Sequence, residues 1–211
     1  FVAQRECAVG DTDIHECSLT PEFYGEFRAA AQMLRTSPMW LACAAWLRVL
    51  HTWNTRIVPA SNPCLSVEFP VSLRRNARRR NTMGNFISAL TLTGDTRAPL
   101  SDLARKLEQQ VISSFRQRHH FAVPLLTMPG RYLPWWLFRR IAVGQTSLGF
   151  ATTHFSWFEY REDPKVFFAE SSRGGLHLVS QRIYTPVCLH MGAALSALIA
   201  PEAPTLFITY R

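Results

Sequence analysis

Apolar side chains recur along this chain with two distinct periods. Near the start the spacing is helical. Leu19-Thr20-Pro21-Glu22 opens a helix, with Thr20 as the cap, Pro21 at the first helical position and an acidic residue in the first turn. This helix is expected to run to about Arg35. Thr36-Ser37-Pro38 repeats the punctuation and begins a second helix, Met39 to about Trp53, on which Trp40, Ala44, Leu47 and Leu50 recur. That second segment is apolar almost all round, so it is expected inside the domain. A third, amphipathic helix starts at Pro99-Leu100-Ser101-Asp102 and ends near Arg118, with Leu103, Leu107, Val111 and Phe115 on one face.

Strand periods lie between and after these helices. Cys64–Leu73 is short, rich in apolar residues and bounded by Asn62-Pro63. Phe86–Thr93 alternates through Phe86, Ser88, Leu90 and Leu92. The aromatic stretch Tyr132–Ile141 reads as a shorter helix. From Thr146 onward five strands are expected: Ser147–Trp157, Lys165–Glu170, Gln181–Val187, Leu195–Ile199 and Thr205–Tyr210. Residues 1–18 have no strong period and read as a linker or an edge strand, leaving 19–211 as one lobe. The pattern implies a mixed α/β domain, a mixed sheet covered by helices.

Composition narrows the class. The chain has 211 residues, 47% hydrophobic and 18% charged. A chain of this length buries roughly 70% of its unfolded surface, so an ordinary core can hold it and disorder is excluded as its general character. The formal charge is +8, and Lys106 and Lys165 are the only lysines, so arginine carries the basic character. Arg74, Arg75, Arg78, Arg79 and Arg80 crowd one stretch. They form either a solvated loop or an anion site for a phosphorylated cofactor, nucleic acid or acidic partner. No apolar run reaches the ~18 residues of a membrane span. Asp11, Asp13 and Glu16 stand where a secretory signal would be apolar. The five cysteines form no CxxC pair, so reduced, buried thiols and a cytoplasmic setting are expected. Residue 1 is Phe, so the chain is expected to be cut from something longer.

Self-sufficient catalysis is not legible. His119-His120 begins like the acyl-transfer motif HHxxxDG, but Pro124 and Leu125 occupy the positions of its Asp and Gly. His190 has Ala194 four residues on, where a carboxylate would be wanted. Gln145 stands where GxSxG would need Gly before Ser147. No phosphate-binding glycine loop appears, and His and Cys never fall at metal-ligand spacings.

The most informative stretch is Phe69-Pro70-Val71-Ser72-Leu73-Arg74, followed by Met83-Gly84-Asn85-Phe86. The order of elements around it resembles the C-terminal half of the condensation-domain and acyltransferase superfamily, whose fold is that of chloramphenicol acetyltransferase. The likeness covers residues 19–211, through helix, buried helix, V-x-L-R, G-N strand, long helix and the strand segment Ala151-Thr152-Thr153-His154. Ser37-Pro38 departs from wax-ester synthases, which carry Asn-Asp there.

The resemblance implies a mixed, mostly antiparallel sheet and half of an acyl-transfer tunnel, inactive alone. An N-terminal lobe carrying HHxxxDG would be its partner, and an acyl carrier protein a further one. The implied co-substrate is acyl-CoA or a phosphopantetheine thioester, with no tightly bound cofactor. It points to Thr152, Thr153 and His154 as tunnel-facing oxyanion support, and to Gly84, Asn85 and Ser88 as tunnel residues. The arginines at 74, 75, 78, 79 and 80 would meet the phosphates. The alternative is a non-catalytic basic domain that binds an anionic partner, with nucleic acid disfavoured because residues 74–80 contain no aromatic. A peripheral membrane setting is compatible with either.

Overall fold

The computed structural model describes residues 13–73, 87–122, 132–137, 140, 151–159, 192–199 and 204–210. The element order is β1 (Asp13–Ser18), α1 (Pro21–Met33), α2 (Pro38–Ile57), β2 (Cys64–Ser72), β3 (Ile87–Asp95), α3 (Leu100–Arg116), β4 (Thr153–Glu159), β5 (Ala193–Ile199) and β6 (Thr205–Tyr210). A single 3-10 turn, His119–Phe121, follows α3.

Both early helices start where their caps require. The Thr20 hydroxyl accepts the Phe23 N–H at 3.2 Å, and Ser37 accepts that of Trp40 at 3.4 Å, with proline next in each case. These bonds satisfy N–H groups that have no partner inside the helix. α2 runs four residues past the expected end at Trp53, to Ile57. It is not enclosed on all sides. Trp40, Cys43, Leu47 and Leu50 are buried, whereas Val49 and Trp53 on another face and Ile57 at the helix end are exposed. Only one stripe of the helix meets the sheet, so apolar composition overstated its burial.

The six strands form one mixed sheet in the order β1-β6-β5-β4-β2-β3. β2 is parallel to β4 and β4 to β5, while β1–β6, β5–β6 and β2–β3 are antiparallel. Asp13–Ser18 is thus an outer strand, paired with Thr205–Tyr210. On the helix-covered face, Leu47 and Leu50 of α2 and Leu103, Leu107 and Val111 of α3 share one core with Val67, Leu92, Phe155 and Leu195 from four strands. Phe115, expected on the same helical face, is partly exposed and stacks on His120 instead. Gly94 marks the closest approach of α3 to the sheet: a Cβ there would collide with the Leu103 side chain. Arg48 of α2 ties down the β3–α3 turn by donating to the carbonyls of Thr96 and Ala98.

Several boundaries shift from the sequence expectation. The strand expected at Ser147–Trp157 begins at Thr153, and residues 147–150 lie outside the described residues. So do the expected strands Lys165–Glu170 and Gln181–Val187. Of the expected helix Tyr132–Ile141, residues 135–137 are helical, with the Leu137 N–H donating to the Pro134 carbonyl. The thiols are not uniformly buried. Cys17 and Cys64 are exposed and Cys43 is enclosed, where burial pushes its thiol pKa up and keeps it protonated. Among the described residues no helix is long and apolar enough to cross a membrane.

Candidate functional site

β4 lies between two parallel neighbours, and its side chains alternate between the two faces of the sheet. Thr153 and Phe155 point to the helix-covered side, where Phe155 is a core residue and Thr153 meets α2. His154 and Ser156 therefore belong to the other face. The ladder between β2 and β4 contains only Val67↔Thr153 and Glu68↔His154. Both strands run on, to Ser72 and Glu159, so His154 marks the place where two parallel strands cease to pair.

The three residues expected to face a tunnel do different work. The Thr153 hydroxyl accepts the Trp46 indole N–H at 2.9 Å and donates to the Ala193 carbonyl at 2.6 Å. A hydroxyl has one proton, so Thr153 holds α2, β4 and β5 together and has no donor left for a reacting oxygen. The Thr152 hydroxyl accepts the Ser66 N–H at 3.2 Å and lies 3.3 Å from the Ser66 hydroxyl, joining β2 to the start of β4. Of the three, Thr153 faces the helices, Thr152 is bonded to β2, and His154 stands on the other face of the sheet. The His154 Nε2 is 2.7 Å from the Ser156 hydroxyl. Burial alone pulls its pKa from 6.5 down to about 4, so the ring is neutral near pH 7.

Neighbouring strands extend this face. Ser156 is paired with Ser196, His154 with Ala194, and Ala194 with Thr209. The Thr209 hydroxyl is buried without a hydrogen-bond partner among the described residues. The face around His154 therefore carries Glu68 on the β2 side and small hydroxyl-bearing and apolar side chains on the β5 side. It can align a neutral polar group through hydrogen bonds, with no charge of its own from the imidazole. Sequence reading passed over Ser156. The available signal was its spacing two residues from His154 on a strand, which puts both on one face.

Of the other expected site residues only Ser88 is among the described ones. Ser88 is buried opposite Val71 on the helix-covered face, away from His154. Gly84, Asn85, Arg74, Arg75, Arg78, Arg79 and Arg80 lie outside the described residues, as does His190. His119 is exposed, while His120 is buried between the rings of Phe115 and Phe121, with centroid separations of 4.5 and 4.1 Å. Two aromatic faces fill its surroundings, which makes it a packing residue.

Neither a family model nor a curated protein sequence matches the chain. Solved structures do. The condensation domain that mediates chain release from the enacyloxin polyketide synthase aligns over 94% of the chain with a TM-score of 0.61 and 14% identity. That of the monacolin K polyketide synthase aligns over 95% with a TM-score of 0.59 and 13% identity. Its fold is that of a condensation-domain lobe. The epimerization domain from the third module of tyrocidine synthetase B shares this fold too, at a TM-score of 0.53 and 13% identity over 94% of the chain. The condensation-like lobe spans only 36%, 42% and 42% of these three neighbours, in the order named. One architecture therefore appears in domains named for chain release and for epimerization, so the reaction must be argued from the site.

Proposed function

We propose that the chain is the C-terminal lobe of an acyltransferase of the condensation type. It would move an acyl group from a CoA or carrier-protein thioester to an alcohol or amine. The observation that carries this reading is His154, a neutral imidazole at the end of the β2–β4 ladder in a condensation-like fold that spans 42% of the monacolin synthase neighbour's chain. A second lobe bearing HHxxxDG supplies the base in this scheme. Its histidine takes the proton of the attacking hydroxyl or amine, the new C–O or C–N bond forms, and the C–S bond breaks to release a thiol. His154 does not compete for that proton, because a ring with a pKa of about 4 is too weak a base. A neutral ring nitrogen can instead donate a hydrogen bond towards the carbonyl oxygen as negative charge gathers on it. Thr152 and Thr153 serve that role indirectly, by fixing β4 against β2, β5 and α2.

The test is a thioester-release assay with acyl-CoA and with an acylated carrier protein, on the chain alone and joined to an upstream lobe bearing HHxxxDG. Silence alone and turnover when joined is the expected result. Turnover by the isolated chain refutes the shared-chamber reading. Silence of the joined protein with both donors refutes the acyltransferase reading.

A further inference from the structure

Tyr132, Trp135 and Trp136 are 74%, 72% and 65% exposed, whereas the core indoles of Trp40 and Trp46 are 4% and 6% exposed. Two consecutive indoles and a phenol open to solvent within five residues go against the usual burial of tryptophan. Pro134 and Leu137 close a short turn between them through the Leu137 N–H, so the two indoles sit on one compact element. The sequence on either side of this element carries one sign of charge. Between Glu108 and Glu159 the sequence has no acidic residue and five arginines: Arg116, Arg118, Arg131, Arg139 and Arg140. Arg131 and the Arg139-Arg140 pair flank the aromatics in sequence, and Arg140 is exposed.

We propose that the segment around Tyr132, Trp135, Trp136 and Arg140 is a docking surface for an anionic lipid bilayer. Indole and phenol rings have an apolar body and a polar edge, and they settle at the level of lipid headgroups. Guanidinium groups beside them pair with lipid phosphates. Charge complementarity favours lipid over protein as the occupant. A neutral protein surface would leave these arginines without counter-charge, and the chain offers them no carboxylate from position 109 to 158. Such a surface would hold the lobe beside a membrane from which an acyl chain or a lipophilic acceptor is drawn. The binding itself is independent of the acyltransferase reading.

Co-sedimentation of the 211-residue chain with vesicles tests this directly. Phosphatidylcholine vesicles are compared with mixed phosphatidylcholine–phosphatidylglycerol vesicles, at low and high salt. The expected result is partition onto the mixed vesicles only, weakened by salt. W135S/W136S should lower that partition about tenfold, through loss of the inserted rings. Arg140→Gln should lower it about fivefold, and it keeps the test valid if the double variant misfolds. Far-UV circular dichroism checks that both variants fold. Equal binding to both vesicle types, no binding, or binding unchanged in folded variants would overturn the proposal. So would a concentration-dependent dimer that W135S/W136S dissolves while vesicles bind nothing, or loss of vesicle binding once the chain is joined to the upstream lobe, since the patch would then join two copies or the two lobes.

Discussion

The two faces of the sheet use the same residue types to opposite ends. On the helix-covered face Thr153 serves the scaffold through completed bonds, although Ser88 is buried there with no hydrogen-bond partner among the described residues. Thr153 is fully buried there, and its hydroxyl is held by the Trp46 indole and the Ala193 carbonyl. Across the same strand, His154 and Ser156 pair with each other, and Thr209 is buried with no hydrogen-bond partner among the described residues. An incompletely satisfied buried hydroxyl costs about 1–3 kcal/mol. Such hydroxyls occur on both faces, so what sets the uncovered face apart is the neutral imidazole of His154. Hydroxyl-bearing residues stand on both faces of the sheet, Thr153 and Ser88 towards the helices and Ser156, Ser196 and Thr209 on the other side.

The largest effect is expected from the scaffold side. Phe155 is completely buried, with the rings of Phe69 and Trp157 at 6.5 and 6.3 Å. Phe155→Ala should cost about 3–5 kcal/mol, read as a lower urea midpoint, because the cavity lies at the centre of the sheet and cannot close. A loss under about 1 kcal/mol would mean that this face is loosely packed.

Acid should act on the other face. In the unfolded chain His154 takes up a proton below its ordinary pKa of 6.5, but in the folded protein only near 4. Between those values the unfolded state holds more protons, so folding stability falls as pH falls. The contribution is complete above pH 6.5 and lost as pH approaches 4, with a total of about 3 kcal/mol. Urea unfolding at the two ends of that window measures it, and His154→Gln should remove this part of the slope. An unchanged slope in the variant would show that the imidazole is not held neutral by burial. The same substitution should reduce thioester turnover of the joined protein about a hundredfold, as loss of an oxyanion donor does.

The smallest effect sharpens the contrast. Thr153→Val keeps the shape but leaves the Trp46 N–H buried without its acceptor, which should cost about 1–3 kcal/mol. Turnover of the joined protein should be unchanged at temperatures where the variant is folded. A loss of turnover equal to that of His154→Gln would erase the division of labour between the faces.

Much of the fold was legible because local chemistry decides it. The Thr20 and Ser37 caps with their following prolines fix where α1 and α2 begin, and the structure places both starts within a residue or two of expectation. Alternation through Ser88, Leu90 and Leu92 gave the buried side of β3 correctly. The enclosure of α2 was misjudged, because composition does not reveal that only one layer meets it. The candidate site was legible only in its address. The segment Thr152-Thr153-His154 was singled out, but Thr152 precedes β4, and Thr153 and His154 fall on opposite faces of it. Which of the three reaches the polar side depends on the register of β4 against β2 and β5.

The sequence by itself determined the helix starts, the strand periods and the order of elements that resembles a condensation-domain half. These follow from capping bonds, side-chain spacing and proline geometry, which act over a few residues. Only the tertiary structure decided that Thr153 is a tether and that His154 is neutral and paired with Ser156. Trp46 and Thr153 are 107 residues apart in the chain, as are no two partners that local pattern could connect. A hydroxyl's role depends on which distant group receives its proton, and an imidazole's charge on what displaces water around it. Neither is fixed until the sheet has closed.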